Sequence, residues 1–146
     1  MSSTKLDPLR IASASGSVTD RRHGLAELAQ TEDVQFIVGD WMSEYNMTTR
    51  GGGKFNQNQQ SSEFEYSFLE SIEPALASLA SRNIKVAVNA GASDTRKLYN
   101  VVVASVRKRN LDLKVAWVEG DEVSDILEQA VQSGEDFTNL TTGNVN

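Results

Sequence analysis

The stretch "KVAVNAGASDTRKL", Lys85 to Leu98, contains three kinds of signal in fourteen residues. "KVAV" is a short β-branched run and predicts a buried strand. "NAGAS" supplies the amide, glycine and hydroxyl of a tight turn. Asp94 then precedes an apolar pattern at helical spacing, where its carboxylate can accept the orphan N–H bonds of a helix N-terminus. This is one strand–turn–helix unit, and the rest of the chain repeats it.

Three more apolar runs stand out: "LRIASA" (Leu9 to Ala14), "VQFIVG" (Val34 to Gly39) and "LKVAWVE" (Leu113 to Glu119). Helical patterns separate them, at about Asp20 to Gln30, within the long connection from Trp41 to Asn83, and at Asp94 to Arg109. A last helix follows over Asp121 to Gln132. Ser62-Glu63-Phe64-Glu65 has the form of a capping box that opens a helix, and Pro74 predicts a kink or fresh start near Glu73. Strands that alternate with helices imply βαβ units with right-handed crossovers. The expectation is therefore an α/β, Rossmann-like three-layer fragment, its mainly parallel sheet having about four strands built from βα units. It spans residues 9–134, with a disordered tail over 1–8 and a polar tail over 135–146.

Composition narrows the function classes. The chain has 146 residues, 39% hydrophobic and 23% charged, which supports one folded domain. Its net charge of -6 argues against a nucleic-acid partner, whose phosphates need Lys and Arg. Without cysteine there is no thiol catalysis, disulfide or zinc–thiolate site. The polar start "MSSTKLDPLR" lacks a signal core, and no window reaches the roughly 20 apolar residues that span a bilayer. These features predict a cytoplasmic protein with no membrane partner, in which the sequons at Asn46 and Asn139 are chance matches.

In open parallel sheets, ligands bind beyond the carboxyl ends of the strands. All four strand ends carry glycine beside an acid, amide or hydroxyl. Ser15, Gly16, Asp20 and Arg21 follow the first, Asp40 and Glu44 the second, Asn89, Gly91 and Asp94 the third, and Glu119, Gly120 and Asp121 the fourth. The catalytic candidates are Asp40, Asn89 and Asp121, and the others are candidate ligand contacts. No dinucleotide fingerprint is present, and the sequence leaves the cofactor unknown. A Ser15–His23–Asp40 triad can be drawn but lacks a nucleophile elbow. Asp40 and Glu44, with Asp121 or Glu119, have the oxygen ligands of a magnesium site, but Asp40 as a helix cap and Glu44 facing water is the simpler reading, so no metal is assigned.

The stretch "TTRGGGKFNQNQQSS", Thr48 to Ser62, looks like a phosphate loop but is not one. Phe55, not Ser or Thr, follows Lys54. Its location after the second strand places it over the carboxyl-end edge. Arg50, Gly51, Gly52, Gly53 and Lys54 are thus expected to form a lid that contacts an anion, the alternative being a plain linker.

As a set, the blocks "RIASASGSVTDRR", "VGDWMSEYNM", "KVAVNAGASDTRKL" and "LKVAWVEGDEV" resemble the N-terminal domain of the acyclic terpene utilisation family, once catalogued as a domain of unknown function. "GDWMSEYNMT" and "RGGGK" are most similar to fungal members. The resemblance covers Arg10 to about Gly134. The positions matching the shared blocks are Gly16, Asp40, Asn89, Gly91, Glu119, Gly120 and Asp121. It implies catabolism of branched acyclic terpenes through acyl-CoA thioesters, and hence a small-molecule or acyl-CoA-like ligand. Family members are usually longer, so the expected partners include a homo-oligomer or the remainder of a longer chain. The other reading is a non-catalytic ligand- or partner-binding α/β module.

Overall fold

The computed structural model describes residues 8–55 and 64–144. Among the described residues the elements run in the order β1 (Ile11–Ser15), α1 (Gly24–Thr31), β2 (Phe36–Gly39), α2 (Glu44–Phe55), α3 (Tyr66–Ile72), α4 (Leu76–Arg82), β3 (Lys85–Val88), α5 (Thr95–Lys108) and α6 (Ser124–Gln132). The α/β class expected from the alternation is what forms. The three strands are parallel in the order β1-β2-β3.

That order decides which face of the sheet is covered. Each strand adds to the same side of the one before, so right-handed crossovers bring the connecting helices onto one face. Leu25 and Ala29 of α1, Phe68 and Ile72 of α3, Leu76 and Leu79 of α4, and Leu98 and Val106 of α5 all join a single core cluster around Ile37. The described residues therefore make two layers. On the far face, Ile11 and Val38 are exposed and Phe36 is half-buried, with the Lys85 ammonium 5.1 Å from its ring centroid.

Gly39 explains how β2 ends. A Cβ there would lie 2.1 Å from the Trp41 ring, so only glycine lets the indole fold back over the strand. Trp41 is then 2% exposed and meets Phe68 edge-on, with centroids 5.2 Å apart. This aromatic pair anchors the strand end to the helical layer.

Pro74 marks a fresh start, as expected: α3 ends at Ile72 and α4 begins at Leu76. Asp94 caps α5, accepting from the Lys97 N–H at 2.8 Å. Other expectations need correction. Residues 113–119 form no strand, so the sheet has three strands and not four. Leu111, Leu113 and Val115 pack on the core and Trp117 meets Tyr99 at 4.3 Å, but no ladder joins this extended segment to the sheet. Helix α6 starts at Ser124, three residues after the expected Asp121, and buries none of its residues.

The glycine-rich stretch is also different. The backbone is helical through Gly51, Gly52, Gly53 and Lys54 to Phe55, where a loop was expected from Thr48. Three glycines disfavour a helix by about 1 kcal/mol each relative to alanine. The other end of the helix is capped, where Ser43 and Asn46 bond reciprocally. The rest of the expected lid, residues 56–62, lies outside the described residues, as does the expected N-terminal tail apart from Pro8.

Candidate functional site

Strand register builds the site. Ser15 pairs with Gly39, and Gly39 with Val88, so the residues that follow the strands line up along the carboxyl-end edge. The Asp40 N–H donates to the Ser15 carbonyl at 2.9 Å, which extends the ladder one residue. Directly across, the Asn89 side-chain amide donates to Asp40 Oδ1 at 2.6 Å, and its oxygen accepts from the Trp41 N–H at 2.7 Å. The Met42 N–H adds a second bond to Asp40 Oδ1 at 3.0 Å. Donors that bond an ionised carboxylate favour that form, so the Asn89 bond first, then the Met42 bond, hold Asp40 below the usual 3.8. Asp40 is exposed, and its Oδ2 has no bond among the described residues.

A second cluster sits beside the first. Asn46, 4% exposed, donates to the Trp41 carbonyl at 2.6 Å. One turn along α2, Arg50 Nε donates to Glu65 Oε1 at 2.8 Å. Glu65 is 2% exposed, and its N–H donates to the Ala90 carbonyl at 2.9 Å. The turn after β3 thus holds Asp40 through Asn89 and the Arg50–Glu65 pair through Ala90.

The sequence missed Glu65. It was read as part of a capping box, but it occupies the N-cap of α3 with no side-chain cap bond. Its sequence carries one weak hint, a carboxylate set between Phe64 and Tyr66. Asn46 was read only as a chance sequon, and its burial leaves no room for a glycan in the folded chain.

The remaining candidates divide. Gly16, Asp20 and Arg21, with Ser13, Ala14 and Ser15, line an open cleft of about 250 Å³. Within it the Gly16 N–H is taken by Asp20 at 2.7 Å, and Arg21 pairs with Glu27 at 3.2 Å. Ser15 is buried and its hydroxyl donates to the Ser17 and Asp40 carbonyls, so it closes a turn. Neither bond goes to His23, the N-cap residue of α1, and no triad forms. Asp94 is spent as a cap. At Gly91 a Cβ would lie 2.5 Å from Thr95 Oγ1, so this glycine admits the start of α5.

No bond among the described residues ties the last group to the others. With no fourth strand, Glu119, Gly120 and Asp121 follow an unpaired segment. Glu119 accepts from the Trp117 indole at 2.8 Å, and no bond links Asp121 to Asp40 or Asn89. Among the described residues no three acids or imidazoles cluster as a metal site would require, and no helix is long and apolar enough to cross a membrane.

The family model described as acyclic terpene utilisation family protein AtuA matches residues 9–146. The chain belongs to the acyclic terpene utilisation family. The match includes all three strands, the Asp40–Asn89 pair and the Arg50–Glu65 pair, so the clustered polar groups lie within the family's own domain. No curated protein and no solved structure matches the chain.

Proposed function

We propose that this acyclic terpene utilisation-like domain is part of a catabolic enzyme that acts on a small or CoA-linked branched carboxylic acid at the carboxyl ends of its strands. The observation that carries the reading is the Asp40 carboxylate, fixed on one oxygen by Asn89 and Met42 while the other faces solvent. A carboxylate kept so readily ionised is a firm acceptor and a weak base. Its fitting role is to orient and polarise a hydroxyl, an N–H or an acidic C–H of the ligand. Asn89 sets the angle of that carboxylate. Arg50 supplies positive charge to balance an acid or a CoA phosphate. Asp121 enters only as an exposed acid that a bound ligand would have to recruit.

The test is a panel of branched acyl-CoA thioesters, such as 3-methylbutanoyl-CoA, incubated with the purified chain. Binding is followed by calorimetry and products by mass spectrometry. We expect a bound thioester, and weaker binding or turnover in Asp40→Asn by about tenfold or more, the scale of one lost bond to a charged group. No binding and no turnover across the panel would sink the enzyme reading.

One observation favours a second reading, a non-catalytic partner-binding module. The far face of the sheet and all of α6 leave large apolar side chains in solvent, among them Ile11, Val38, Ile126 and Leu127. Exposed apolar area on this scale marks interaction surfaces. A thioester that binds but never turns over, in a chain that self-associates, would favour this reading.

A further inference from the structure

We infer that Glu65 is a positioning residue that presents Arg50 as a receptor for the carboxylate of a ligand. The inference rests on the reading of the strand ends as a ligand site and names the group that would be bound there.

A carboxylate that is 2% exposed cannot remain charged without a close partner. Glu65 has one in Arg50, at 2.8 Å. The bond uses Nε, on the side of the guanidinium. The two terminal nitrogens, at its end, make no bond among the described residues. A guanidinium fixed through Nε presents that end as a flat pair of N–H donors. The geometry matches a planar carboxylate taken in bidentate fashion. The Arg50 side chain is 28% exposed, so the end is accessible yet partly shielded from water. Other cations near this edge are already paired, Arg21 with Glu27 and Arg22 with Glu70.

The position fits a ligand that spans two groups. Asn46 and Arg50 are four residues apart on α2 and so share one face. Asn46 is tied to Trp41, Trp41 to Asn89, and Asn89 to Asp40. Glu65 is tied to Ala90, the next residue after Asn89. A molecule with an acid at one end and a hydrogen-bond donor near it can meet Arg50 with the first and Asp40 with the second.

The test uses 3-methylbutanoate and free coenzyme A as probes, with NMR of the arginine Nε–Hε resonances and calorimetric titration. For the wild type we expect a protected Arg50 Nε–Hε signal that shifts on adding 3-methylbutanoate. Arg50→Lys should bind it on the order of tenfold more weakly, since a point charge replaces a fork. Glu65→Gln keeps an acceptor for Nε and should retain most of the binding. Removing either partner alone can unfold the chain by stranding a charge, so the decisive variant is Arg50→Met with Glu65→Met. Apolar replacement of a buried pair is often tolerated. This double variant should keep its circular dichroism and thermal midpoint but lose 3-methylbutanoate.

If the double variant binds 3-methylbutanoate as the wild type does, Glu65 and Arg50 are structural and this inference fails, while weaker binding of 3-methylbutanoyl-CoA by Asp40→Asn would leave the site reading standing. If coenzyme A shifts the Arg50 signal and 3-methylbutanoate does not, the receptor is for phosphate and the carboxylate assignment fails. If 3-methylbutanoate binds through Arg50 but no thioester is ever turned over, the inference holds and the enzyme reading falls.

Discussion

Asp40 shows how much one residue's behaviour depends on a neighbour 49 positions away. Its carboxylate is exposed, so burial hardly penalises the charge, and the Asn89 amide is the main reason it stays ionised to lower pH. A folded-state pKa below the unfolded one means that the interaction favours folding above the ordinary value of 3.8. That contribution fades as pH falls through the lower folded value. Carboxyl carbon NMR should therefore give Asp40 a midpoint below 3.8, and Asn89→Ala should move it back up towards 3.8. A midpoint that ignores Asn89 would mean that the bond is not formed in solution. That Asp40 and Asn89 follow neighbouring strand ends was legible in the sequence, because residues just past parallel strands share an edge; the bond between them was not. Glu65 was not, because burial of its charge is decided by Arg50, and nothing local in "EFEYS" announces that partner.

At the scale of elements, the same periodicity succeeded in one place and failed in another. The strand–turn–helix unit of β3 and α5 formed as read, since cap, turn and apolar stripe all specify the same local geometry. The segment 113–119 carries an equally good strand pattern. Its alternate residues Leu113, Val115 and Trp117 are indeed half-buried. A strand, however, is defined by a neighbour's backbone, and side-chain alternation holds no information about whether a ladder closes. Hydrogen exchange separates the two cases. The amides of Ile37 and Val38, in the middle strand, should be among the slowest in the chain. Those of Lys114 to Val118 should exchange orders of magnitude faster. Equal protection would show that a fourth strand pairs in solution. The glycine-rich end of α2 shows the converse: intrinsic propensity disfavours a helix there, yet the helix capped by Ser43 and Asn46 runs on through the three glycines.

For the whole molecule, strand order accounts for the uneven surface. A sheet that grows in one direction through right-handed crossovers has its helices on one side. Strand–helix alternation carried the three-layer expectation, but alternate residues of β2 meet opposite environments. Ile37 is fully buried beneath the helices, while Val38, its chain neighbour, is 38% exposed on the bare face. Their substitutions should differ accordingly. Ile37→Ala removes core contacts and should cost roughly 2–5 kcal/mol, a loss of about 7–16 °C in thermal midpoint for a chain of this size. Val38→Thr, alone or with Ile11→Thr, keeps the β-branched shape and should shift the midpoint by no more than about 2 °C. The threonine pair should also reduce binding of the dye ANS, which reports exposed apolar surface. A large drop in midpoint from Val38→Thr would mean that this face is covered in solution, either by α6 folding back or by another molecule. The concentration dependence of that midpoint separates the two, because an intermolecular cover strengthens with protein concentration and an intramolecular one does not.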